Sequence, residues 1–220
     1  MRLFLDTANI DEIREINRWG VLSGVTTNPT LVAREGQDPD EVWRVILEEV
    51  GGDVSLEVTA TGADEMYAQG QELAKRAANV VVKLPMTAEG LSAGKRLVNE
   101  GVKINITLVF SPAQAILAAE IGAYIMSPFL GRLDDAAADG MHVLEEICDI
   151  YAVQGYETQV LAASLRHPMH VVQAAQFGAD IATMPYDVFA KLVKHPLTDR
   201  GLEQFTADWQ GLQQHLKEGT

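Results

Sequence analysis

Asn79-Val80-Val81-Val82-Lys83-Leu84-Pro85 is the stretch that decides the fold. Its β-branched centre has no polar alternation, the pattern of a parallel strand covered on both faces. Pro85 stops the strand, and Thr87 is placed to cap a following helix. Lys83 therefore stands at the strand's C-terminal end, among apolar neighbours. Loss of hydration there favours the neutral amine, the form that attacks a carbonyl to give a Schiff base. A lysine at a strand end can equally snorkel to water or pair with a carboxylate.

Outward from this strand, seven more short apolar runs recur at regular spacing: Leu3–Leu5, Gly24–Thr26, Ser55–Val58, Ile104–Val109, Tyr124–Ser127, Gln159–Ala163 and Ile181–Met184. Amphipathic segments lie between them. Asn9 with Glu12 and Ser111 with Gln114 have capping-box spacing, and Pro112, Pro39 and Pro168 occupy first-turn positions. Gly51, Gly101, Gly122 and Gly178 stand where helices should stop. Eight βα units in 220 residues predict a single (β/α)8 TIM barrel over residues 1–220. A doubly wound sheet is the alternative, but no strand is followed by G-x-G-x-x-G. Beyond the eighth unit, residues 198–217 carry Leu202, Phe205, Trp209, Leu212 and Leu216 at steps of three and four. This predicts an additional C-terminal helix, packed either on its own barrel or on a neighbouring subunit.

Composition narrows the function. The chain is 47% hydrophobic, enough for one sizeable core, and no apolar run approaches the ~20 residues of a membrane span. A net charge of −14 argues against nucleic acid or an anionic membrane as partner. A single cysteine, Cys148, in a helical pattern reads as a small buried apolar residue, and with the absence of a signal-peptide pattern it suggests a reducing cytoplasm. The five histidines show no H-x-x-x-H or H-E-x-x-H spacing, so neither a metal nor another cofactor is expected; His167 and His170, at a helix start, are read as surface residues.

Reactive groups in such a barrel gather at the C-terminal ends of the strands. Asp6 ends the first strand, Thr26 and Asn28 the second, Glu57 the third and Lys83 the fourth. Asn105 and Thr107 share one face of the fifth by the two-residue period. Ser127, Phe129 and Arg132 follow the sixth, Ser164 and Arg166 the seventh. Each has a plain structural use, as a cap, a turn or a satisfied core polar group. Those uses do not explain two carboxylates and a lysine at the ends of three apolar strands. Glu57 amid apolar neighbours suits proton transfer through a water. Two guanidiniums and the Ser164 hydroxyl suit a phosphate.

These segments carry a family resemblance. Phe4-Leu5-Asp6-Thr7-Ala8, Gly24-Val25-Thr26-Thr27-Asn28-Pro29, Val82-Lys83-Leu84-Pro85, Asn105-Ile106-Thr107-Leu108-Val109-Phe110-Ser111, Ser127-Pro128-Phe129-Leu130-Gly131-Arg132 and Ala162-Ala163-Ser164-Leu165-Arg166 resemble the transaldolase signatures, in order and at the spacing of the short subfamily. The resemblance implies that Lys83 forms a Schiff base with a ketose phosphate and that Asp6 handles the hydroxyl proton during carbon–carbon cleavage. It implies that Glu57 and Thr107 activate water, that Asn28 and Asn105 hold substrate hydroxyls, and that Ser127 lies near the dihydroxyacetone unit. Arg132, Ser164 and Arg166 would take the phosphate. The partners implied are sugar phosphates and further copies of the chain, in a ring-like homo-oligomer that is commonly a decamer.

The short subfamily also contains fructose-6-phosphate aldolases, which carry Gln and Tyr where this chain has Glu57 and Phe129. Both positions match the transfer enzyme. The expected activity is therefore transaldolase of the pentose phosphate pathway: a dihydroxyacetone unit moves from sedoheptulose 7-phosphate or fructose 6-phosphate to glyceraldehyde 3-phosphate or erythrose 4-phosphate. The aldolase that releases free dihydroxyacetone is one alternative. A catalytically silent barrel that only binds sugar phosphates is another, since this fold hosts many chemistries.

Overall fold

The computed structural model describes residues 1–218, so Gly219 and Thr220 lie outside the described residues. Eight parallel strands close on themselves in sequence order: β1 (Arg2–Asp6), β2 (Leu22–Thr26), β3 (Asp53–Glu57), β4 (Val80–Pro85), β5 (Ile104–Val109), β6 (Ile125–Pro128), β7 (Gln159–Ala162) and β8 (Ile181–Met184). Each pairs with the next, and β1 pairs with β8 to shut the barrel. Eleven helices are described: α1 (Ile10–Arg18), α2 (Pro29–Arg34), α3 (Pro39–Glu49), α4 (Ala63–Ala74), α5 (Ala88–Asn99), α6 (Pro112–Glu120), α7 (Leu130–Asp135), α8 (Gly140–Gln154), α9 (Pro168–Gln176), α10 (Tyr186–Lys191) and α11 (Pro196–Glu218).

The caps form as the side chains dictate. Asn9 accepts from the backbone N–H groups of Asp11 and Glu12, Thr87 from Gly90 and Ser111 from Gln114. Gly101, Gly122 and Gly178 take positive φ after α5, α6 and α9. Gly51 does not. There α3 ends on Val50 in extended backbone, so the chain leaves the helix without a left-handed turn. The short helices α2, α7 and α10 were not expected, because six residues are too few to show a hydrophobic period.

Two apolar clusters divide the core. The larger lies between the strands and the helices, while Phe4, Val81, Ile125, Leu161, Ala163 and Ile181 form a separate one inside the barrel. Gly24 makes room for it, since a Cβ there would sit 2.5 Å from the Phe4 ring. Below this layer, at the N-terminal end, Asp53 is buried and accepts from Arg2 at 2.7 Å, Tyr124 at 3.0 Å and Lys103 at 3.3 Å. That polar plug seals the bottom, and above the apolar layer the interior turns polar again and opens.

Helix α11 stands apart: none of its residues is buried, and Leu202, Phe205, Trp209 and Leu212 are all exposed. No helix among the described residues is long and apolar enough to cross a membrane.

Candidate active site

Parallel register builds the centre of the site. Glu57 is opposite Lys83 on β3 and β4, and Lys83 is opposite Asn105 on β4 and β5. Lys83 is buried, its Nζ donating to the Thr27 carbonyl at 3.0 Å and lying 2.9 Å from Glu57 Oε2. Of the uses open to a strand-end lysine, pairing with a carboxylate is the one present here. A buried ion pair contributes little net stability, because desolvating both charges offsets their attraction. What the pair does provide is an ammonium and a proton acceptor in contact.

The C-terminal mouth of the barrel holds a cavity of about 350 Å³. Asp6, Thr26, Asn28 and Lys83 line it from β1, the end of β2 and β4; Ser127, Phe129, Arg132, Ser164 and Arg166 line it from the other side. Nine of the twelve expected site residues therefore face one space. Glu57 lies behind Lys83 and faces a smaller cavity of about 140 Å³ with Asn28 and Trp43. Asn105 and Thr107 are fully buried and line neither cavity. Asn105 is engaged on both sides, donating to Ser55 Oγ at 3.2 Å and accepting from Ser127 Oγ at 2.7 Å. Thr107 Oγ1 is buried with no hydrogen-bond partner among the described residues, on the strand next to Lys83.

Asp6 accepts from Thr26 Oγ1 at 2.7 Å, and that hydroxyl is also 2.7 Å from Thr183 Oγ1. Burial pushes the Asp6 carboxyl above its ordinary value, while Lys83, the Thr26 hydrogen bond and Arg132 pull it back. A carboxyl so balanced is suited to accept a proton and return it. Asn28 also caps α2, its Oδ1 accepting from the Leu31 N–H at 3.0 Å, so half of its amide is already committed. The Phe129 ring lies between two cations, 6.0 Å from Lys83 Nζ and 4.9 Å from the Arg132 guanidinium carbon. Arg166 pairs with Asp135 at 2.6 Å, and Ser164 holds φ at 60°.

Some residues of the site have no strong local signal. Thr183 ties β8 to β2 across the interior; the two-residue period through Ile181 would have placed it inward. Arg34 lines the cavity from the unexpected α2. His170, read from sequence as a surface residue, is buried instead, because α9 packs against the loop that carries Arg166.

The arrangement sets a lysine, a carboxyl and three arginines around one cavity, with a second carboxylate touching the lysine from outside it. The closed barrel is shared with distant proteins: thiamine phosphate pyrophosphorylase from Pyrococcus furiosus superposes with a TM-score of 0.59 at 16% identity, over 87% of this chain and 93% of that one. That likeness concerns the fold alone. Two bacterial relatives are much nearer. A “Probable transaldolase 1” from Bacillus cereus is 56% identical over 97% of this chain and all of its own length. A “Probable transaldolase” from Brevibacillus brevis is 54% identical over 97% and all of its own length. The family model described as Transaldolase/Fructose-6-phosphate aldolase matches residues 3–216. With that match across nearly its whole length, the chain belongs to the transaldolase/fructose-6-phosphate aldolase family.

Proposed function

We propose that this protein is a transaldolase acting through a Schiff base on Lys83. The observation that carries the reading is the contact between Lys83 and Glu57 at 2.9 Å, with Lys83 opening onto a cavity that Asp6 also lines. Lys83 passes its proton to Glu57 and attacks the ketose carbonyl carbon. The carbinolamine then loses water to give the imine, with Glu57 and the unpartnered Thr107 hydroxyl attending that water. Asp6 removes the proton from the hydroxyl on the far carbon of the bond to be cleaved, which becomes the aldehyde carbon. That bond breaks, the aldose leaves, and the electron pair is held as an enamine on Lys83. The enamine attacks the acceptor aldehyde, Asp6 returns the proton, and water releases the new ketose from the lysine.

Arg132 and Arg166, with Ser164, bind the phosphate of donor and acceptor. The substrates are the sugar phosphates of the pentose phosphate pathway. Transfer is favoured over release of free dihydroxyacetone because Phe129 offers no hydroxyl to orient a water at Lys83. The exposed stripe of α11 supports a homo-oligomer, a decamer by the family resemblance. The lone Cys148, whose thiol burial pushes up to about 12, supports a cytoplasmic setting where it stays reduced.

The test is product analysis with fructose 6-phosphate, with and without erythrose 4-phosphate. Sedoheptulose 7-phosphate forming only with the acceptor is the expected result; rapid release of dihydroxyacetone without it would make the protein an aldolase. Borohydride reduction in the presence of fructose 6-phosphate should add a dihydroxyacetone-derived mass to the Lys83 peptide. Labelling at another lysine, or none, would end the mechanism.

A further inference from the structure

His170 has no part in the chemistry above, yet it is buried, hydrogen-bonded at one ring nitrogen and close to a carboxylate at the other. Its Nδ1 accepts the Arg166 backbone N–H at 3.3 Å, and its Nε2 lies 3.5 Å from Asp134 Oδ2. Acceptance at Nδ1 leaves the single proton of a neutral imidazole on Nε2, facing Asp134. The other oxygen of Asp134 accepts from the Gly140 N–H at 2.9 Å, which fixes it against the start of α8.

Helix α7 thereby holds Arg166 twice. Asp135 takes its guanidinium at 2.6 Å, and Asp134 takes its backbone through His170. The same helix carries Arg132. Between these holds, Ser164 sits in the left-handed region at φ 60°, a conformation that for a non-glycine residue persists only when its surroundings enforce it. Backbone bonds from Gly131 to Ser164 O at 3.2 Å and from Leu130 to Ala163 O at 3.0 Å complete the junction. The contact is tight enough that a Cβ on Gly131 would lie 2.1 Å from Ser164 O.

We propose that His170, supported by Asp134, is a positioning residue for phosphate binding: it holds the loop after β7 so that Ser164 and Arg166 converge with Arg132 on one phosphate. The inference rests on the phosphate role given to Arg132, Ser164 and Arg166 above. Arg166 need not abandon Asp135 to bind, since a guanidinium has five N–H donors.

Only an unprotonated Nδ1 can accept, so the hold exists while His170 is neutral. Burial, His167 with its ring 3.8 Å away, and Arg166 all push His170 towards the neutral form; Asp134 opposes them. No charged group of α8 or α10, the other helices packed on α9, is among those that shift it. Phosphate affinity should therefore weaken as pH falls through the lowered imidazole value, and recover above it.

The experiment measures kcat and KM for fructose 6-phosphate and for fructose from pH 5 to 8.5 in the wild type, His170→Leu, His170→Asn and Arg166→Ala. His170→Leu keeps bulk but removes the acceptor; it should raise KM for fructose 6-phosphate about tenfold at neutral pH, the scale of one good hydrogen bond, with little change in kcat or in fructose kinetics. His170→Asn places a non-titrating acceptor near Nδ1 and should restore KM and remove the acid-side rise. The phosphate's own ionisation is common to all forms, so the ratio of variant to wild type isolates His170. Unchanged KM in His170→Leu, an equal loss on both sugars, or a wild-type pH profile in His170→Asn would overturn the proposal. If His170→Leu fails to fold, the pH profile of His170→Asn decides alone. Arg166→Ala separates the two layers: unchanged KM there ends the phosphate assignment and this proposal with it, whereas a raised KM there with silent His170 variants ends this proposal only.

Discussion

Glu57 Oε2 lies 2.9 Å from Lys83 Nζ because the two residues are register partners on adjacent parallel strands. Side chains opposite each other in a sheet point to the same face, so the ion pair is written into the pairing of β3 with β4. Lys83 is buried and Glu57 partly so; the lysine also donates to the Thr27 carbonyl and faces the Phe129 ring.

Replacing Glu57 by Gln should therefore separate binding from chemistry. The amide keeps shape and leaves the arginines untouched, so sugar-phosphate affinity measured by calorimetry should change little. Turnover should fall about 10²–10⁴-fold, the usual worth of a positioned acid or base. Full turnover in Glu57→Gln would make the residue structural.

Phe129 lies at the mouth beside Lys83, and Phe129→Tyr adds a hydroxyl to that ring near the lysine. The expected outcome is a higher ratio of free dihydroxyacetone to transferred product in the fructose 6-phosphate assay. An unchanged ratio would mean that water at the imine is controlled elsewhere.

The barrel buries two carboxyls with opposite pH signatures. Asp6 at the mouth is pushed above the ordinary 3.8, so its contribution to stability is complete below that value and is lost as pH rises through the elevated one. Asp6→Asn should thus gain on the wild type from pH 4 upward in urea unfolding, while losing activity. Asp53 at the bottom is held below 3.8: burial pushes it up, but Arg2, Tyr124 and Lys103 together outweigh burial. Its contribution is present above the ordinary range and is lost as pH falls through the lowered value. Asp53→Asn should cost about 1–3 kcal/mol at neutral pH, towards the low end because Arg2 and Lys103 reach solvent. A pH-independent difference in either variant would refute the corresponding sign.

Helix α11 offers Leu202, Phe205, Trp209 and Leu212 to its surroundings, each a large side chain left in water by the single chain. Covering them in an assembly gains about 25 cal/mol per Å² of apolar area, less the freedom that subunits lose. A chain ending at Thr198 should sediment as smaller species and keep the circular dichroism of the barrel. Retention of the full-length mass would place the subunit contacts elsewhere.

Much of this protein is legible in its sequence because the signals are local. Eight apolar runs, their caps and the crossover spacing demand parallel strands, and one valine-rich run leading into Lys83 marks where a buried amine sits. The polar strand ends named from sequence do converge, nine of them on one cavity. What the chain pattern could not supply is which strand end meets which. The Lys83–Glu57 contact needs the β3–β4 register, the Thr26–Thr183 bond needs closure of β8 onto β1, and the withdrawal of Asn105 into bonds with Ser55 and Ser127 needs the registers from β3 through β6. His170 makes the same point from the helical side. Its spacing beside His167 and Pro168 suits a surface position, and only the docking of α7 against the β7–α9 loop buries it between Arg166 and Asp134. Local propensity fixes where a strand or helix begins and ends; register and closure depend on residues far apart in the chain, and these decided how the site was assembled.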